Sequence, residues 1–500
     1  MPQLTDIALF NYFKWRQKRI ENVYNNPQLF QEATLSHILN TNKKTVYGRL
    51  HSFAKVNGYQ DFSQIPMVSY EELFPYIQRM IEGENNILTK DKIKWFAKSS
   101  GTSNDRSKYI PVSKKYLQKG HLKCAWDAAS FIYDEDPGAK LFADRSLIMG
   151  GSIEKLSATK MAGDISGVII HHFPKIGRRF YTPDIETALM PDWDEKINRI
   201  AEITSKQNVT LLAGVPTWTI VLLKRILEIT GKQNISEVWP NLRSFLHGGV
   251  GFEPYRETFK KLIPAKGVAL REVYNASEGY FAIQNHQLED GMLLLCDHQI
   301  FYEFIPVEEL NSENPSCIPL QQVELGKKYA MVITNTSGLY RYRIGDVVKF
   351  VSVYPFKIKV VGREKEMINV FGEEVSILNT DHALADVCKA LDCVVREYTV
   401  GPVFMSDKSK GGHEWAIEFA KPPQSISIFE HKLDVRLREL NSDYDAKRSQ
   451  DLALLNLKVN MLKPKSFELW LRSKNKYGGQ NKVPRLRNDR VVIDHLLSLS

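Results

Sequence analysis

The sequence predicts an α/β protein built from more than one domain, and three observations carry that prediction. Short apolar runs, several ending in glycine, alternate with helical stretches up to about residue 290. Strand-like segments then crowd together between 292 and 361. Beyond 362 a new mixture of helix and strand begins, enough for an independent α+β unit of about 130 residues. A chain of 500 residues also exceeds one ordinary hydrophobic core.

In chain order, residues 7–40 place apolar side chains at three-to-four spacing with few breakers, which predicts helix. Ser69 is the expected N-cap of the next helix, with Glu71 and Glu72 in its first turn. Residues 93–97 predict a short strand. Trp126, Phe131 and Tyr133 fall on a helical face and are expected in the core. Buried strands are predicted at 147–151, 209–213 and 242–247, the last ending at Gly248 and Gly249. Val221, Leu222, Leu223, Ile226 and Leu227 mark a helix after the second of these. His171 and His172 are adjacent in an apolar, strand-like stretch, so they are expected to face opposite ways and not to share a ligand. Further strands are predicted at 292–296, 300–305, 329–334, 346–353 and 356–361. The C-terminal pattern reads helix 381–391, strands 393–400 and 413–420, helix 426–440 and strand 465–471.

Composition narrows the function classes. Hydrophobic content of 43% and charged content of 25% suit a globular protein. No apolar run approaches the roughly 18 residues needed to span a bilayer. The start, Met1 to Asp6, lacks the basic region and apolar core of a secretory signal. Five scattered cysteines, an odd number, fit free thiols in a reducing cytoplasm. Cys388 and Cys393 lack C-x-x-C spacing, and no Cys/His cluster has zinc-site spacing. The net charge of +9 suits anionic small molecules. Acidic residues alternate with the basic ones and no nucleic-acid motif is present, so no nucleic-acid partner is expected.

Three polar constellations carry the chemistry. The first is Ser99-Ser100-Gly101-Thr102-Ser103, followed after a short spacer by Lys108. Hydroxyls and backbone N–H groups in such a loop can wrap phosphate oxygens, and a lysine adds charge. The spacing is not G-x-x-x-x-G-K-[ST], so this is a different phosphate loop from Walker A. The second is Tyr274-Asn275-Ala276-Ser277-Glu278-Gly279. The third is Tyr340-Arg341-Tyr342-Arg343-Ile344-Gly345-Asp346. Read singly, each also fits a surface loop, a core aromatic or a turn residue.

In order and content the three resemble the motifs of the Gretchen Hagen family of acyl-acid amido synthetases, a branch of the adenylate-forming superfamily. The segments Gly163 to Gly167, Gly214 to Trp218 and Gly478-Gly479-Gln480 add weaker likeness. The resemblance implies a large N-terminal domain over 1–362 with a barrel-like β subdomain, a hinge over 363–372 beginning after Gly362, and a small mobile domain over 373–500. It implies ATP and Mg²⁺ as cofactors, and a small carboxylic acid and an amino acid as substrates. An adenylating enzyme with a thiol acceptor, and a non-catalytic nucleotide- or nucleic-acid-binding protein, are the alternatives.

The resemblance also implies roles. Ser99, Ser100, Thr102, Ser103 and Lys108 would hold the β- and γ-phosphates, with Asn104 to Ser107 departing from the family's glycine-richer pattern. Gly248 and Gly249 would border the adenine and Tyr274 would lie against it. Ser277 would bond the nucleotide and Glu278 would bind Mg²⁺. Asp346 would accept the ribose hydroxyls, Arg363 would join the nucleotide site, and Arg343 would brace its turn. Asp164, Val215, Thr217 and Trp218 would build the acid-binding wall. Lys482, in a Lys-x-Pro-Arg run, would meet the α-phosphate as the catalytic lysine, with Lys365 a weaker candidate. An acidic or neutral amino acid suits the basic surface. The identities of acid and amino acid, and the oligomeric state, are not legible in the sequence.

Overall fold

The computed structural model describes residues 4–99, 108–249, 252–265, 267–310, 312, 314–363, 367–368, 373, 375–404, 411–441, 444–445, 448, 454–474, 476–477 and 482–499. Its largest element is a twelve-stranded sheet. The parallel end runs, from its edge inward, Tyr181–Thr182, Arg145–Ile148, Val209–Gly214, Ser244–His247 and Ala269–Ala276. The antiparallel end continues Gly279–Ile283, Met292–Leu294, Phe356–Arg363, Tyr342–Val353, Lys328–Asn335, Ile300–Pro306 and Ile318–Pro319. The strand-rich segment expected as a barrel-like subdomain is thus hydrogen-bonded to the parallel strands without a break.

A second sheet of four strands pairs Trp95–Ser99 with Lys108–Val112, and Ser99 stands opposite Lys108. The C-terminal unit is a three-stranded sheet of Val394–Val403, Gly412–Lys421 and Lys458–Leu462. It has its own cores, one around Trp415, Phe429 and Leu433 and one around Phe467, Trp470 and Leu496.

Local chemistry sets the boundaries. Ser69 and Glu72 form a reciprocal capping box at the start of Tyr70–Ile81, as the sequence predicts. The helix expected over 7–40 is two, Leu4–Asn25 and Pro27–Asn42. Pro27 lacks an N–H to continue the first helix and is suited to open the second. Residues 465–471 are not a strand: Lys465 caps, and 466–471 lie in, the helix Ser466–Ser473. Phe467 and Trp470 recur at helical spacing and both enter the core, and period three outweighs local β-propensity. His171 and His172 end the helix Ile165–His171 and do not lie on a strand. Both rings pack on Trp95, at 4.8 and 5.0 Å between centroids. Phe131 and Tyr133 are buried and Trp126 stacks on Phe13, as expected of core residues.

Candidate active site

A cleft of about 2050 Å³ opens between the large sheet and the C-terminal unit. It brings together ten of the predicted residues: Lys108, Val215, Trp218, Gly249, Tyr274, Ser277, Glu278, Asp346, Arg363 and Lys482. Ser100, Thr102, Ser103 and Lys365 lie outside the described residues, as do the side chains of Ser99 and Thr217.

The sheet itself assembles the centre of the site. Strand register sets Asp346 directly opposite Arg363, and Arg363 Nε lies 2.9 Å from Asp346 Oδ1. Tyr274, on a different strand, donates its hydroxyl to Asp346 Oδ2 at 2.5 Å. Burial, reinforced by the Asp346 charge, holds the Tyr274 phenol well above its ordinary ionisation range, so it remains a donor. The ring of Tyr274 rests on Phe281 at 4.8 Å. Asp346 therefore sits inside a strand, oriented from both sides, and is not a solvated turn residue.

The second and first constellations meet alongside. Ser277 Oγ lies 3.4 Å from the carbonyl of Lys98, which immediately precedes the Ser/Thr run. The Glu278 carbonyl accepts from Tyr116 Oη at 2.7 Å and from Asn335 Nδ2 at 3.1 Å, which fixes its backbone. Burial raises the pKa of the Glu278 carboxyl, and the charge of Lys108 opposes that rise. Lys108 Nζ sits 5.4 Å from the centre of the Tyr70 ring.

Gly249 has φ +87°, a conformation that favours glycine. A Cβ there would lie 3.3 Å from Val215 and 3.6 Å from Lys482 Nζ. The C-terminal lysine therefore lies over this turn of the large domain. Trp218 packs on Trp193 at 4.6 Å and meets Tyr477 of the C-terminal unit edge-on at 5.8 Å.

Two expected residues, Gly248 and Asp164, are not among those lining the cleft. A Cβ on Gly248 would come within 2.4 Å of the Val273 carbonyl, so this glycine serves close packing of neighbouring strands. Asp164 precedes the helix Ile165–His171 and accepts the Ser152 N–H at 3.1 Å. Burial lifts its pKa to about 6.

Sequence reasoning missed the residue that anchors the third constellation. Arg343 lines the cleft, and before it stands Arg341, whose φ is +43°. Arg341 Nε lies 3.1 and 3.2 Å from the two carboxylate oxygens of Glu303, and both residues are buried. It also donates to the carbonyls of Ser63 and Ile65. An arginine preceding an aromatic in a buried strand was the available signal.

Fold and cleft together define the class: a two-part α/β protein with the fold seen in solved acyl acid amido synthetase and acyl-CoA ligase structures. Within that class the chain belongs to the GH3 family. Family models of the GH3 N-terminal domain match residues 16–192 and 152–268, the central domain 293–363 and the C-terminal domain 378–491. Among relatives, the indole-3-acetic acid-amido synthetase GH3.4 of Arabidopsis thaliana is 23% identical over 96% of this chain and 94% of its own. The 4-substituted benzoates-glutamate ligase GH3.12 of the same plant is 22% identical over 74% of each chain. The solved structure of GH3.15 acyl acid amido synthetase superposes with a TM-score of 0.79 at 18% identity, covering 100% of this chain and 97% of that one. A 2-hydroxyisobutyryl-CoA ligase superposes less closely, with a TM-score of 0.60 at 13% identity over 95% and 92%.

Proposed function

We propose that the protein is an ATP-dependent acyl-acid amido synthetase. It adenylates a small carboxylic acid, releases pyrophosphate, and transfers the acyl group to the amine of an amino acid, releasing AMP. The observation that carries this reading is the oriented Asp346 carboxylate, held by Tyr274 and Arg363 in the cleft that Lys482 enters from the other side.

A carboxylate resists attack by an amine because its charge repels the nucleophile and oxide is a poor leaving group. Forming the mixed anhydride with AMP removes both obstacles. The catalytic task is then alignment and charge stabilisation. Asp346 has lone pairs to spare for the ribose hydroxyls while its two oxygens are held. Lys482 supplies positive charge to the α-phosphate as pyrophosphate departs. Lys108 and the Ser/Thr run of 99–103 bind the outer phosphates. Val215 and Trp218 form the apolar side of the acid pocket. Departure of pyrophosphate leaves room for the amine to reach the acyl carbon.

The donor set suits Mg²⁺ delivered with ATP. Among the described residues no group of three or more His, Cys, Asp or Glu side chains could hold a metal alone. Glu278 offers one hard carboxylate beside Lys108, which fits an ion whose other ligands are phosphate oxygens and water. Such an ion would neutralise phosphate charge. The hinge reading has support from the gap between the family's central and C-terminal domain matches, 363 to 378. No helix among the described residues is long and apolar enough to cross a membrane. The five cysteines form no disulfide, which supports a cytoplasmic setting.

The test is pyrophosphate release from Mg·ATP across a panel of small carboxylic acids, each with and without mixed amino acids. Acid-dependent release that rises with amino acids, with an amide seen by mass spectrometry, is the expected result. Release indifferent to amino acids but raised by coenzyme A would move the acceptor to a thiol. No release with any acid would count against catalysis.

A further inference from the structure

We propose that Tyr255 is a positioning residue for the acid-activating step: through Arg485 it latches the C-terminal unit in the orientation that sets Lys482 over the Gly249 turn. The proposal rests on the synthetase reading above and adds to it a residue that none of the three sequence constellations contains.

Arg485 lies three residues after Lys482, and the backbone between them is stitched to the C-terminal sheet. Thr399 Oγ1 donates to the Pro484 carbonyl at 2.7 Å, and the Val400 N–H to the Arg485 carbonyl at 2.7 Å. The guanidinium is buried. Its Nη1 makes two bonds to the Asp381 carboxylate, at 2.9 and 3.0 Å, and its Nε lies 3.4 Å from Glu397. Tyr398 flanks it at 5.0 Å from the ring centre. These partners all belong to the C-terminal unit, so the arginine's charge is compensated and its direction fixed within that unit.

One described partner does not belong there. Arg485 Nη2 donates to Tyr255 Oη at 2.7 Å. Tyr255 ends the short turn Glu253–Tyr255 of the large domain, a few residues beyond Gly249. Burial keeps its phenol protonated, so the contact joins a fixed charge to a neutral hydroxyl. Such a contact can part and re-form without stranding an ion, as an alternating domain requires. A charged partner at this position would leave a buried ion on separation. Two further polar contacts cross the cleft, where Arg472 meets Asp194 at 3.0 Å and Tyr477 Oη lies 3.3 Å from the same carboxylate. Arg472 and Asp194 are substantially exposed, so they guide the approach more than they fix the angle. The Tyr255 contact is buried, and its arginine is only three residues from the lysine whose place it sets.

Tyr255→Phe keeps the buried ring and removes the hydroxyl. The full chain would be compared with its parent in single turnovers of adenylate formation, in discharge of preformed acyl-adenylate by amino acid, and in small-angle scattering without substrates. A melting midpoint close to the parent's would certify the fold. Expected are a fall of tenfold or more in the rate of adenylate formation, a KM for ATP within twofold, and discharge within twofold. Scattering should show a more extended particle. Equal loss in both half-reactions, or undiminished adenylate formation, would overturn the proposal. Superimposable scattering curves would overturn it independently of any chemistry. If the parent itself forms no pyrophosphate, the synthetase reading fails, and scattering alone decides the latch.

Discussion

Tyr274 and Asp346 lie 72 residues apart in sequence, yet the phenol of one donates to the carboxylate of the other at 2.5 Å. The bond ties the second polar constellation to the third. It also leaves Asp346 with one oxygen on a neutral donor and the other on Arg363. A carboxylate so held pays little reorganisation when a ribose arrives.

Tyr274→Phe tests that arrangement. A hydrogen bond to a charged acceptor is worth about 1.5–3 kcal/mol. The variant should raise the KM for ATP by roughly tenfold or more, with a smaller change in kcat. Steady-state kinetics in ATP would measure it. An unchanged KM would show that Arg363 and the strand suffice to hold Asp346.

Lys482→Ala should slow adenylate formation by a factor on the order of 100 or more, since a positive charge on the departing phosphate acts in the transition state. ATP affinity by direct titration should change little. A variant that binds ATP weakly yet turns over at the parent rate would place the lysine on the ground-state nucleotide.

Glu278→Gln retains size and removes the charge. The half-saturating Mg²⁺ concentration should rise several-fold at fixed ATP, because a hard cation prefers the carboxylate. Pyrophosphate release measured across a Mg²⁺ series would show this, and a superimposable Mg²⁺ curve would remove Glu278 from the metal.

Asp164 gives the pH prediction. Burial raises its pKa to about 6 from 3.8. Between those values the folded protein keeps a proton that the unfolded chain has released. Stability therefore falls as pH rises through that window and stays lower above it. Two pKa units correspond to about 3 kcal/mol. Asp164→Asn should melt higher than the parent at pH 8, with the gap closing by about pH 4. Loss of the counter-charge to Lys196 offsets part of the gain. A variant melting below the parent at pH 8 would mean that the carboxylate's contacts outweigh the cost of burying it.

Local signals were legible where local physics decides. The Ser69 cap, the strand ending at His247 and the helix Ile426–Leu440 follow from capping chemistry and periodicity. Where two periods compete over a short span, as in Ser466–Ser473, packing of Phe467 and Trp470 chose helix. Asp164 carries a family-like motif, but it does not line the cleft; its carboxylate accepts the Ser152 N–H beside the helix Ile165–His171.

The sequence by itself determined the chemical inventory: three polar constellations in order, a C-terminal lysine, and alternating apolar segments that make an α/β architecture. Pattern is local, and side-chain chemistry travels with the residue. Only the tertiary structure decided which of these groups meet. Strand register set Asp346 against Arg363, and sheet order brought Tyr274 to the same carboxylate. The buried Arg341–Glu303 and Arg485–Asp381 pairs likewise join distant segments. Such pairs arise because a buried charge needs a partner wherever folding brings one within reach, and no spacing in the chain announces which partner that is.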